Sequence, residues 1–197
     1  MRSDPSLEPA RPGGVSVGSL SQARRAKHRF DAVLTLEDPA ARTGHRLRIQ
    51  PGGPAHLVLR FEDADREEYG FATATESQVE TAMAFGRTHA GRSLLVHCHH
   101  GVGRSTALAI AILADRMGPG SEASAIEQVV EQRRGLVVTP NLVVIAHADR
   151  LLGRNGALER ALRRSEAKRP SVARTRVDRH RLATEQPELY SKRSRDA

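Results

Sequence analysis

The stretch Leu94-Leu95-Val96-His97-Cys98-His99-His100-Gly101-Val102-Gly103-Arg104-Ser105-Thr106 decides how the rest of the chain is read. An aliphatic run of strand length delivers a cysteine into a short glycine-containing turn, and Arg-Ser-Thr then opens a second aliphatic run. A strand that turns directly into a helix start aims successive backbone N–H groups into one concavity, where the positive end of the helix dipole adds to them. Such a nest suits a phosphate dianion. Gly101 and Gly103 let the backbone curl and approach a ligand closely. The same field favours the thiolate, the reactive form of Cys98. Arg104, six residues on, offers a planar fork to two phosphate oxygens, a geometry Lys lacks. Ser105 is within reach of the sulfur and would ease its departure from a phosphocysteine.

Working outward, short runs rich in β-branched and aliphatic residues at 32–36, 56–61 and 93–97 read as buried strands, with 15–17 a candidate fourth. Between and after them the pattern changes to helical period. Thr75-Glu76-Ser77-Gln78 supplies a capping box for a helix ending near Gly91, with Val79, Ala82, Met83 and Gly86 on one face. A nearly all-aliphatic helix is predicted over 104–117, stopped by Gly118-Pro119. Two more are predicted over 121–134, with Gly135 as C-cap, and over 140–152, with Thr139 as cap and Pro140 in the first turn. Strands alternating with helices predict a three-layer α/β domain whose central sheet is mostly parallel and flanked by helices.

Cys-x5-Arg-Ser after Val-His, followed by an aliphatic helix, closely resembles the active-site loop of the protein tyrosine phosphatases, above all their compact dual-specificity branch. The resemblance covers about residues 15–153 and is nearest to a group of bacterial phosphatase-like proteins with a Phe-x-Asp acid loop. It implies that Cys98 is the nucleophile, that Arg104 binds the phosphate and stabilises the transferring group, and that the backbone of His99, His100, Gly101, Val102 and Gly103 cradles it. It further implies a general-acid Asp on a loop about thirty residues upstream. Leu57-Val58-Leu59-Arg60-Phe61-Glu62-Asp63 fits that slot, making Asp63 the acid and later the base, with Asp65 the alternative. His97 resembles the histidine that supports the loop from beneath. The reaction so implied needs no metal or cofactor.

The large members of that family use a Trp in the acid loop and a Tyr-lined pocket for phosphotyrosine, whereas this chain has no Trp and two Tyr, Tyr69 and Tyr190. The substrate is thus expected to be a phosphorylated protein or a small phosphate ester. His99 and His100 at the rim would favour a more anionic substrate such as a phosphoinositide. A module that binds phosphorylated partners without turnover is the competing reading, and sulfur transfer is a further one. Arsenate reduction would need further thiols, and the chain has one Cys. The His97–His100 cluster lacks the second Cys or carboxylate pair that four metal ligands would require. Gly101-Val102-Gly103-Arg104-Ser105 lacks the spacing of a nucleotide-binding loop.

A single cysteine excludes an internal disulfide, which makes the cytoplasm the default location. No apolar run approaches the roughly 20 residues a membrane span needs, and 3% aromatic content argues against a stacking platform for nucleic acid. Residues 150–197 hold 14 Arg or Lys against 6 Asp or Glu, which accounts for the whole net charge of +8. The expected organisation is a flexible arm over 1–14, a phosphatase domain over 15–153, and a basic tail over 154–197, partly helical and then disordered from Pro170. That tail is a candidate dock for an anionic partner.

Overall fold

The computed structural model describes Leu7 and residues 12–190, so most of the expected N-terminal arm and the end of the tail lie outside the described residues. Four strands form one sheet: β1 (Val15–Gly18), β2 (Ala32–Glu37), β3 (Ala55–Arg60) and β4 (Leu94–His97). Their order is β1-β4-β2-β3 and every pairing is parallel. The last strand in sequence is therefore flanked by neighbours on both sides, and all four of its residues are buried.

Side chains that alternate along a strand face opposite sides of the sheet, and here both sides are apolar. On one, Leu34, Leu36, Leu94 and Val96 meet the main core; on the other, Val33 and Leu95 meet Leu20, Ala23, Phe30 and Leu47. The second side is covered by α1 (Leu20–Ala26) and by the irregular crossover between β2 and β3. The first is covered by α2 (Glu76–Thr88), α3 (Arg104–Met117), α4 (Glu122–Gln132), α5 (Leu142–Leu151) and α6 (Ala157–Ala167). Residues 104–114 of α3 are all buried, as its aliphatic sequence requires; each of Leu108, Ile110 and Ile112 stabilises the fold by about 1.5–3 kcal/mol. Among the described residues, no helix is long and apolar enough to cross a membrane.

The predicted layers and strands match this architecture, and α2 carries the capping box at Thr75 and Gln78. Three local expectations differ. The C-cap of α4 is Arg133 and not Gly135. The cap of α5 is Asn141, whose side chain accepts from the Val144 amide, and not Thr139, whose amide instead donates to the Val102 carbonyl at 3.0 Å. Pro140 thus precedes the helix. Nor does disorder begin at Pro170: residues Pro170–Glu185 form α7, with Val172 and Ala183 buried and Tyr190 beyond it buried as well.

Candidate active site

Gly18, Thr35 and His97 lie side by side where β1 and β4 end, two residues before the end of β2. Residue 98 therefore leaves the sheet in the crevice where parallel-sheet proteins bind ligands. Below it, the Thr35 hydroxyl is 2.8 Å from His97 Nε2 and 2.7 Å from His56 Nε2, bridging strands β4 and β3. Burial holds the His97 pKa down to about 3, so the ring is neutral, as a hydrogen-bonding strut should be.

The Cys98 sulfur is 3.2 Å from Ser105 Oγ and accepts the Gly101 amide at 3.2 Å. Around it the loop is shaped from outside. The His99 carbonyl accepts from the Leu20 amide, the His100 and Gly101 carbonyls from the Arg133 guanidinium, the Val102 carbonyl from the Thr139 amide, and the Gly103 carbonyl from the Ala107 and Asn141 amides. In a trans peptide the N–H points opposite to the preceding C=O. With the carbonyls of residues 99–103 bonded outward, the amides of residues 100–104 face the concavity, and the Gly101 contact with sulfur fits that direction. Gly101 has φ +75°, and a Cβ there would stand 2.6 Å from the Gly18 backbone, so the turn after β1 packs directly against the loop.

Arg104 is 4% exposed and folds back under the upstream loop, donating through one terminal nitrogen to the Phe61 carbonyl at 2.8 Å. Its Nε is buried with no acceptor among the described residues. Asp63 lies directly over Gly103, where any Cβ would overlap its carboxylate. Asn141 Nδ2 donates to Asp63 Oδ1 and to the Ala64 carbonyl, each at 2.9 Å. Burial raises the Asp63 pKa, but Arg179, Arg104 and the Asn141 hydrogen bond outweigh it and hold the carboxyl below its ordinary value. Asp65 instead turns away to Arg176 at 2.8 Å and Arg179 at 3.0 Å. The structure therefore brings Cys98, residues 99–103, Arg104, Ser105 and Asp63 together and leaves Asp65 outside.

His99 and His100 stack edge to face at the rim, with ring centroids 4.8 Å apart, and His45 lies 5.2 Å from His99. Burial, then the neighbouring His100 and His45, depress the His99 pKa to about 4; burial lowers that of His100. At neutral pH both rings are uncharged hydrogen-bonding groups. Beside them a groove of about 430 Å³ is lined by Arg24, His45, His99, His100 and Arg133.

No protein-family model matches the chain, and no curated protein matches it in sequence. Solved structures do resemble it. Tk-PTP in its active form superposes with a TM-score of 0.51 at 20% identity, over 78% of this chain and 99% of its own. Human DUSP28 gives 0.53 at 21% identity, over 77% and 98%. The human tyrosine phosphatase-like serine/threonine/tyrosine-interacting protein gives 0.56 at 20% identity, over 73% and 94%. The chain has the protein tyrosine phosphatase fold.

Within that fold, the residues missed by sequence reasoning are the ones that hold the loops. Arg133, at the end of α4, is 4% exposed and binds the Gly101 carbonyl at 2.9 Å, the His100 carbonyl at 3.1 Å and Gln22 Oε1 at 2.7 Å. Asn141 ties the two loops to α5. Arg179 and Tyr190 both donate to the Asp63 carbonyl. An Asn after Thr-Pro was a legible cap signal for the second of these; the others carry no local sequence signal.

Proposed function

We propose that the chain is a cysteine-dependent phosphatase that hydrolyses phosphate monoesters through a phosphocysteine intermediate. The observation that carries this reading is the outward bonding of the carbonyls of residues 99–103, which supports a ring of amides around Cys98 fit for three phosphate oxygens. The unpaired Arg104 Nε adds a charged donor; a buried donor without a partner costs about 1–3 kcal/mol, which a phosphate oxygen would recover.

In the first step the Cys98 thiolate attacks phosphorus, an S–P bond forms as the ester P–O bond breaks, and protonated Asp63 gives its proton to the leaving oxygen. In the second, the Asp63 carboxylate takes a proton from water as that water attacks phosphorus. The S–P bond breaks, phosphate leaves, and Ser105 stabilises the departing sulfur. Asp63 must be protonated for the first step, and Arg179 and Arg104 depress its pKa. The rate should therefore decline as pH rises through the acidic range, above the lowered Asp63 pKa. Phe61-Glu62-Asp63 is also the segment on which the likeness to the bacterial branch of the family rests.

Protein phosphotyrosine or dual-specificity substrates are the primary assignment. The groove lined by Arg24, His45, His99 and His100 favours a second reading, a phosphoinositide or other ester with a further anionic group. Hydrolysis of a chromogenic aryl phosphate by wild type and Cys98→Ser tests the mechanism: metal-independent, vanadate-sensitive turnover lost in the variant is expected, and turnover that survives Cys98→Ser refutes it. Vanadate binding without turnover would instead mark a phosphate-binding module. A panel of phosphopeptides and phosphoinositides assayed with His99→Ala/His100→Ala separates the two substrate readings, since an unaltered ranking removes the rim histidines from selectivity.

A further inference from the structure

The segment expected to be disordered from Pro170 reaches the loop that carries Asp63. Arg179, on α7, donates through Nε to Asp65 Oδ2 at 3.0 Å and through one terminal nitrogen to the Asp63 carbonyl at 2.6 Å, while the other lies 3.5 Å from Asp63 Oδ2. Tyr190 Oη donates to the same Asp63 carbonyl at 2.5 Å and accepts from Arg179 at 3.0 Å. One turn earlier, Arg176 bridges Asp65 and Glu166 and donates to the Pro140 carbonyl at 2.7 Å. The docking is completed by Phe71 stacked on Tyr190, with centroids 4.9 Å apart, and by a small apolar cluster of Ala64, Ala183 and Tyr190. Arg179 is therefore fixed on both sides, by the loop it holds and by the tyrosine behind it.

We infer that Arg179 is a positioning residue for Asp63, holding the general acid over the phosphate loop from a helix beyond the expected phosphatase domain. The inference rests on the phosphatase reading above. Fork geometry matters here, because one guanidinium engages the backbone and the carboxylate of the same residue along with a neighbouring carboxylate, fixing both the loop's path and the side chain's direction. Losing it would leave the Asp63 carboxylate held by Asn141 and its carbonyl by Tyr190, near enough to Gly103 on average but poorly aimed at a leaving oxygen.

A role in aiming a proton donor has a signature that a structural role lacks. General acid catalysis contributes about 100- to 10,000-fold when the leaving group is a poor one and little when it departs readily as an anion, as dinitrophenolate does. In the full-length protein, Arg179→Gln is expected to lower kcat/KM, which reports the first step alone, on phenyl phosphate by about 10- to 100-fold, while kcat/KM on dinitrophenyl phosphate changes by less than about 3-fold, within the range of a lost non-catalytic contact. The pH profile supplies a second readout. The groups facing Asp63 are Arg104 of α3, Arg179 and Tyr190 of the C-terminal segment, Asn141 ahead of α5, His100 of the phosphate loop, and Asp65 of its own loop. Removing the Arg179 charge should raise the Asp63 pKa and move the descending limb of kcat/KM to higher pH, whereas Arg179→Lys should leave that limb near wild type and recover kcat/KM only in part. Arg181→Gln, on the exposed face of α7, is the matched control and should alter neither substrate. Equal losses on both substrates, a gain in rate, or a limb that moves equally in the Gln and Lys variants would overturn the inference. An inactive wild type would remove the phosphatase reading as well, so the two failures are distinguishable. If Arg179→Gln melts below the assay temperature, the Lys variant carries the leaving-group test alone.

Discussion

Replacing Arg133 by Met tests whether the phosphate loop is shaped from outside. The guanidinium makes three charge-assisted hydrogen bonds, to the Gly101 and His100 carbonyls and to Gln22 Oε1. Bonds of this kind contribute about 1.5–3 kcal/mol each, and a buried carbonyl left without a partner costs about 1–3 kcal/mol. Against this, Met no longer has to bury a charge, which offsets several kcal/mol. The net expectation is a loss of about 3–4 kcal/mol, at the upper end for single substitutions. Urea unfolding would show it as a lower midpoint with unchanged slope. The functional consequence is separable from the thermodynamic one. Without Arg133 the peptide planes at His100 and Gly101 are free to rotate, so the amides of Gly101 and Val102 lose their inward orientation and vanadate binding weakens at a temperature where the variant is still folded. Arg133→Lys, which can reach one carbonyl and not two, should fall between. A Met variant within about 1 kcal/mol of wild type that binds vanadate equally well would refute the argument, because it would mean that the loop holds its own shape.

Three further outcomes are expected. Because the His97 pKa falls from 6.5 to about 3 on folding, the unfolded chain binds the extra proton between those values; stability should drop by up to about 5 kcal/mol as pH falls through that window, and thermal melts of His97→Gln should show a shallower decline. Gly103→Ala places a methyl where the Asp63 carboxylate sits, so turnover of phenyl phosphate should fall by about 10-fold or more. Asn141→Asp keeps the α5 cap yet sets a carboxylate against Asp63, which should raise the Asp63 pKa and extend activity to higher pH, as read from the kcat/KM profile.

What could be read in the sequence was whatever is contiguous. Cys98, Arg104 and Ser105 are brought together by one turn, so their spacing alone implies their meeting, and the strands around them announce themselves by apolar runs that need no partner to be recognised. Asp63 was legible through resemblance, since nothing in an acidic surface stretch marks one carboxylate over another; Asp63 and Asp65 are separated in the structure by which cation each faces. Arg133, Asn141 and Arg179 act across 32, 78 and 116 residues respectively, and such distances leave no local trace. The failure at α7 has a more specific cause. Its inward positions are Val172, Arg176, Arg179 and Ala183, spaced as one helical face, but the middle two are arginines paired with carboxylates. A search for an apolar stripe passes over a face made of ion pairs, and the segment then reads as solvated charge.

That composition also bears on what α7 contributes. Paired charges taken out of water gain little net stability, because the cost of desolvating each offsets most of their attraction, and the apolar part of the contact is limited to small side chains and one stacked tyrosine. Docking of α7 is thus weak in free energy and strict in geometry. A large hydrophobic contact would hold the acid loop firmly without regard to direction, whereas a guanidinium fork fixes direction and leaves the loop able to part from the phosphate loop at modest cost. On the proposed mechanism, a loop that admits substrate and then returns a carboxyl to within proton-transfer distance needs the second kind of contact. The basic charge expected to serve an outside partner is, at Arg176 and Arg179, already engaged by the protein's own Asp63–Asp65 loop.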